Sequence, residues 1–432
     1  MKSILTKSLY NSLFKLAIIL VFLLFLSVTN VSAGDFKTAK PEQVGMSSER
    51  LARMDKFMQE QIDNKKTGGI IVLVARKGKI VHHKAFGYAD IESGQKLTTG
   101  HLFRLYSMTK PVTSVALLTL YEQGKFRLDD PLELYIPAFK DVMVFAGADD
   151  NGEMILEKPK RKITIHDVFR HTAGFGYGFG PDLVSKSYQE AGMDFQKMDS
   201  LKELVDKLAK QPLLYHPGEK WVYSVAHDVQ AYLVEYFSGM SFDKYCIENI
   251  FRPLGMKDAV FGIPKEYVSR YTTNYGPAKD GSNGIVPTDK PETSNYARFT
   301  EHPFGGLSLS STTMDYFKFS QMLLNGGELN GVRILGKKTV ELMRANHLPE
   351  AVPSISLGSG TGYGLGVSSL INPAASGSLS SVGNFGWGGA ATTQVLIDPV
   401  EDLVLLFFTQ YMPGDMAIQG KFQTLAYQAI VE

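Results

Sequence analysis

One cysteine in 432 residues, Cys246, leaves no internal disulfide to draw on, so stability must come from an apolar core. Cys246 sits among Phe242, Tyr245 and Ile247 and reads as a small buried hydrophobe. No Cys/His spacing suits a metal ion, and no cofactor is expected. The formal net charge is only +1 and no basic stripe with interleaved aromatics occurs, which speaks against a nucleic-acid partner. No Gly-x-Ser-x-Gly occurs, so a nucleophile on a strand–turn–helix elbow is not expected. No internal repeat is visible.

Long apolar runs are also missing, except at the N-terminus. Residues 16–26 are unbroken apolar sequence, led by Lys2, Lys7 and Lys15 and followed by Val31-Ser32-Ala33. A positive lead, a short apolar core and small residues at a cutting point describe an export signal over residues 1–33, cleaved to leave Gly34 first. The destination is then a periplasm or the medium. The run falls short of the roughly 20 apolar residues a bilayer span needs, so no membrane span is expected after cleavage. An uncleaved anchor is the alternative. No Cys follows the run, which excludes lipid attachment there.

What remains has the composition of a globular chain, 44% hydrophobic and 21% charged. Residues 47–64 place Leu51, Met54, Met58 and Ile62 at helical spacing. Residues 70–75 and 80–88 read as strands joined by a turn at 76–79. From about residue 100 the pattern is mainly helical, with Gly-, Ser-, Thr- and Pro-rich surface loops at 265–300 and 353–384. A second hairpin, 392–397 and 403–409 around the turn 398–402, precedes a final helix over 416–430. The expected fold class is α+β. An antiparallel sheet is built from both chain ends (34–100 and 384–432) and flanked by helices, with a mainly helical part (101–383) inserted, all in one catalytic domain, 34–432.

Ser-x-x-Lys occurs four times, at Ser12/Lys15, Ser93/Lys96, Ser107/Lys110 and Ser241/Lys244. Only the third opens a long helix after an apolar lead. Pro111 is tolerated only in a first turn, so it pins the helix start near Ser107, and Gly124 ends that helix. Residues i and i+3 share a helix face, so the Lys110 amine can reach the Ser107 hydroxyl and take its proton once burial or a nearby cation lowers its pKa. Tyr223 stands just before another helix and can share that proton. Asn384-Phe385-Gly386-Trp387-Gly388-Gly389-Ala390 leads into the last hairpin, and its glycines let a ligand approach the backbone.

In these residues the chain resembles the serine β-lactamase and penicillin-binding-protein superfamily, with its Ser-x-x-Lys motif. Within it, the likeness is to the class C β-lactamase-related branch that includes the family VIII carboxylesterases. It runs from about residue 40 to the end and includes Leu128-Asp129-Asp130-Pro131, His171-Thr172-Ala173-Gly174, Pro217-Gly218, Pro253-Leu254-Gly255-Met256 and Gly305-Gly306-Leu307. These stretches are expected to shape turns, with His171 structural. The resemblance implies Ser107 as nucleophile, Lys110 as its partner base, Tyr223 as second base and proton donor, and the Ser107 and Ala390 amides as oxyanion hole.

Two departures bear on the substrate. Val225 stands where the β-lactamases have an Asn that holds a substrate amide. Trp387-Gly388-Gly389 stands where they have a Lys-Thr-Gly triad that meets a carboxylate. The expected substrate contacts are thus Trp387, Gly388, Gly389 and Val225, and an uncharged ester is the expected substrate. The rival readings are a β-lactamase or D-alanyl-D-alanine carboxypeptidase, an acyltransferase, and an inactive cell-envelope binding protein. The oligomeric state is left open.

Overall fold

Every residue of strand β1 (Gly69–Arg76) is buried. Its side chains alternate, so Ile70, Val72 and Val74 enter one apolar layer while Ile71, Leu73 and Ala75 enter another. A strand covered on both faces reads as an uninterrupted apolar run, which is how residues 70–75 appear in the sequence. The computed structural model describes residues 36–278, 284–356 and 358–432. The export signal read at residues 1–33 lies outside the described residues. Residues Phe36–Glu432 cluster as one unit.

β1 is followed by β2 (Lys79–Asp90) and β3 (Gln95–Lys96), and the C-terminal part supplies β4 (Thr361–Tyr363), β5 (Ser368–Leu370), β6 (Phe385–Gly389), β7 (Thr393–Asp398) and β8 (Leu403–Thr409). The eight form one sheet in the order β4-β5-β6-β7-β8-β1-β2-β3, antiparallel throughout. β1 joins the two chain ends, with Leu73 opposite Leu406 on β8 and His83 on β2.

Five helices frame this sheet: α1 (Ser48–Asp63), α2 (Thr109–Glu122), α3 (Ala226–Ser238), α4 (Thr313–Leu324) and α5 (Met416–Tyr427). The Ser47 side chain caps α1 by accepting from the Arg50 amide at 3.2 Å. Leu51, Met54 and Met58 of α1 and Ile418, Phe422 and Ala426 of α5 cover one face of the sheet. On the other face lies α2, apolar nearly all round, with Val112, Val115, Leu117 and Leu118 fully buried. A helix of that kind belongs at the centre of a structure, and α2 packs against α3.

The α+β class, with a sheet drawn from both chain ends, is what the sequence implies. Two details differ. The region 353–384, read as loop, holds β4 and β5, so the sheet begins near residue 361 rather than 384. The region 265–300 contains a hairpin, Asn274–Pro277 with Ile285–Asp289, and it buries Tyr271, Tyr275 and Tyr296. Strands of three to five residues rich in Gly, Ser and Thr carry too little periodicity to register as strands.

Candidate active site

Ser107 sits in a single 3-10 turn, Tyr106–Met108, between the short strand Phe103–Arg104 and α2. The strand is clamped in place. Arg104 is fully buried, with Nε 3.2 Å from Asp289 Oδ2 and Nη1 donating to the Thr272 carbonyl at 2.8 Å. Gln410 Nε2 donates to the Arg104 carbonyl at 3.1 Å. Tyr106, next to the serine, has φ +46°, a left-handed conformation that bulky side chains rarely adopt. Such local strain concentrates at functional sites.

Lys110 is buried one turn further on. Its Nζ donates to Ser107 Oγ at 3.0 Å and to the Gly306 carbonyl at 2.6 Å. Tyr223 reaches in from just ahead of α3, with its Oη 2.6 Å from Ser107 Oγ. The Lys110 Nζ also lies 4.7 Å from the centre of the Tyr223 ring. The hydroxyl that the sequence singled out is thus held between an amine and a phenol. The other described Ser-x-x-Lys pairs, Ser93/Lys96 and Ser241/Lys244, are exposed at all four residues.

Aromatic packing holds Tyr223. Its ring lies 5.0 Å from His171, 5.4 Å from Tyr177 and 5.6 Å from Trp387. His171 is buried, with φ +58°, and its Nδ1 is 3.1 Å from Ser224 Oγ. Burial, then the Lys110 charge, hold its pKa well below the usual imidazole range, so the ring behind Tyr223 is neutral.

The opposite wall is β6. A Cβ on Gly389 would stand 2.3 Å from the Leu105 carbonyl oxygen, so only glycine lets this strand lie against the segment leading to Ser107. The segment Asn384–Ala390 does not simply lead into the last hairpin; its central residues, Phe385–Gly389, make a strand of their own, paired with β7, and Ala390 sits in the intervening turn. Ser107, Tyr223, Trp387, Gly388, Gly389 and Ala390 all line one cleft of about 920 Å³. Among the described residues, no Asp, Glu, Lys, Arg or His lines it.

Two expected substrate contacts are placed differently. Val225 is 1% exposed and belongs to the main core, away from the cleft lining. The chain turns at the start of α3, so Tyr223 faces the cleft and Val225 faces inward. Trp387 lines the cleft but is 8% exposed, packed with Trp221, Ile355 and Tyr363. It therefore acts as part of an aromatic wall rather than as a free indole.

Sequence reasoning missed Asp228. It sits in the first turn of α3, fully buried, and its Oδ1 accepts from the Gly306 amide at 2.8 Å. Burial lifts its carboxyl to about 6, against the opposing pull of Lys110. The only signal was indirect: the Gly305-Gly306 pair. A Cβ on Gly305 would stand 2.3 Å from the His227 carbonyl oxygen, and one on Gly306 would stand 2.9 Å from Asp228 Oδ2. The glycines let this loop touch α3 and turn the Gly306 carbonyl to Lys110.

The Beta-lactamase family model matches residues 54–428. An uncharacterized protein of Mycobacterium tuberculosis is 32% identical over 377 residues, covering 84% of this chain and 90% of its own length. A putative D-alanyl-D-alanine carboxypeptidase of Salmonella typhimurium is 30% identical over 391 residues, covering 85% of this chain and 84% of its own. Among solved structures, EstCE1, a hydrolase with promiscuous acyltransferase activity, superposes with a TM-score of 0.74 at 24% identity, over 89% of this chain and 99% of its own. Simvastatin synthase from Aspergillus terreus gives a TM-score of 0.76 at 22% identity, over 88% of this chain and 98% of its own. These two likenesses establish the fold, and the family match extends over most of the sequence: the chain belongs to the Beta-lactamase family.

Proposed function

We propose that this serine hydrolase acts on uncharged esters through an acyl-enzyme on Ser107. The observation that carries the reading is Ser107 Oγ held 2.6 Å from Tyr223 Oη and 3.0 Å from Lys110 Nζ at a cleft whose described lining has no charged side chain. Ser107 Oγ attacks the ester carbonyl while its proton passes to the Lys110–Tyr223 unit. The Ser107 and Ala390 amides receive the oxyanion. The alcohol leaves with the stored proton. Water then attacks the acyl-enzyme, gives its proton to the same unit, and releases the acid with Ser107 restored.

Substrate choice follows from charge. The apolar wall around Trp387 gives contact area but no cation to offset desolvation of a carboxylate. A lost charge-assisted hydrogen bond costs about 1.5–3 kcal/mol, roughly ten- to a hundredfold in kcat/KM. That counts against carboxylated β-lactams and peptide C-termini, although one relative is named as a putative D-alanyl-D-alanine carboxypeptidase. Acyl transfer is the second reading. The cleft, at about 920 Å³, has room for an alcohol in place of water, and two structural neighbours are named for acyl transfer or synthesis. We also propose that the chain is exported through its N-terminal 33 residues and acts in the periplasm or the medium.

The test is kcat/KM for p-nitrophenyl butyrate against a chromogenic cephalosporin on one preparation. The ester should lead by about tenfold or more. A cephalosporin value equal to the ester's or above it would overturn the substrate assignment.

A further inference from the structure

We propose that Asp228 is a positioning residue for the Ser107 chemistry, fixing the Lys110 amine through the Gly306 backbone and supplying the anion that faces it. This rests on the reading of Ser107 as nucleophile given above. The linkage is continuous. Asp228 Oδ1 accepts from the Gly306 amide at 2.8 Å, the Gly306 carbonyl accepts from Lys110 Nζ at 2.6 Å, and Lys110 Nζ reaches Ser107 Oγ at 3.0 Å. The proposed reaction makes no other use of this carboxylate.

Its surroundings are unlike those of a structural carboxylate. Asp167, also buried, has both oxygens engaged by Arg161, Arg170, Thr164 and Thr172. Among the described residues, Asp228 has no ion pair within salt-bridge distance, and its buried Oδ2 has no hydrogen-bond partner. Such a group weakens the fold. Lys110 on α2 is the cation whose charge acts on it. Tyr177, on the segment after His171, feels the Asp228 charge, and burial holds that phenol protonated. His227, beside Asp228 on α3, is held neutral chiefly by burial, and the Lys110 charge acts in the same direction. The charge interaction is therefore between Asp228 and Lys110.

The consequence is chemical. As the Ser107 proton moves onto the Lys110–Tyr223 unit, positive charge grows there, and the Asp228 anion opposes it at low dielectric. The folded-state pKa of Asp228 is about 6, above the ordinary carboxylate value. Burial of the ionised group therefore destabilises the fold as pH rises from about 4 to 6, and fully above 6. Below 6 the carboxyl is neutral and its effect on Lys110 is lost. This residue therefore sacrifices stability at neutral pH while supporting turnover.

The experiment uses Asp228→Asn, which keeps the shape and the acceptor for Gly306. On p-nitrophenyl butyrate, kcat should fall by about tenfold or more, with KM within about threefold. The acid limb of kcat near pH 6 should disappear. The Tm at pH 7.5 should hold or rise. Wild-type kcat in the variant overturns the proposal, as does a lost kcat accompanied by a lower Tm and an unchanged acid limb. Should the variant not fold, the rate of fluorophosphonate labelling of the wild-type protein decides. A midpoint near pH 6 supports the proposal, and a flat rate from pH 5 to 8 overturns it. A label that maps away from Ser107 would instead overturn the nucleophile assignment, so the two failures are distinct.

Discussion

Lys110 and Tyr223 converge on one oxygen, and neither has a second route to it. Lys110 Nζ is 3.0 Å and Tyr223 Oη 2.6 Å from Ser107 Oγ, with the amine against the phenol ring. Two groups that share one proton titrate and fail together. Lys110→Ala and Tyr223→Phe should each lower kcat on p-nitrophenyl butyrate by about a hundredfold or more. The double variant should lose no more than about tenfold beyond the worse single one. Multiplying losses, measured as a double-mutant cycle in kcat, would show two independent groups. At this scale the sequence was informative where a motif met a helix start. Ser107 and Lys110 stand out because Pro111 fixes the helix start beside them. Asp228 did not stand out, because a lone Asp in the first turn of a helix is usually an exposed cap. Only burial and the close approach of Gly306 distinguish it.

Elements carry these residues to their places through a few polar clamps. The short helix Ile165–Phe169 is closed by a capping box between Thr164 and Asp167. Asp167 also pairs with Arg161 at 2.5 Å and Arg170 at 3.0 Å, fixing the segment that ends in His171 behind Tyr223. Burial pushes its carboxyl up, but Arg161 and the other partners outweigh this and hold it at about 2. A depressed folded-state pKa means the stabilisation is complete above about pH 4 and is lost as pH falls toward 2. Asp167→Asn should therefore cost about 3 kcal/mol at pH 7, and less at pH 3, by thermal unfolding. Equal losses at both pH values would contradict the ion-pair account. Legibility at this scale followed length. β1 and β8, seven or eight buried residues each, are plain in the sequence. β4 and β5, three residues each, gain their structure from neighbouring strands rather than from their own pattern.

Across the whole molecule, the sheet draws its strands from both chain ends, so the cleft depends on the C-terminal strands closing over Ser107, carried early in the chain. β6 stands against the Ser107 segment only because β8 pairs with β1 and aligns the whole C-terminal meander. This closure was legible from two hairpins at opposite ends of the sequence. The aromatic wall that absorbs Trp387 was not, because Trp221 lies far along the chain from the segment that carries Ile355 and Tyr363. The proposed export signal belongs to this scale too. The exported protein, sequenced from its N-terminus, should begin at Gly34. Recovery of the full-length chain from membranes would favour an anchor instead.

The central claim is that one hydroxyl does the covalent work. Its most direct measurement is peptide mapping after reaction with a fluorophosphonate, followed alongside ester hydrolysis. The account predicts one adduct, on Ser107, formed in proportion to the loss of activity, and none in Ser107→Ala. A protein fully inactivated with its adduct on another residue, or a Ser107→Ala variant that still hydrolyses p-nitrophenyl butyrate at the wild-type rate, would contradict it.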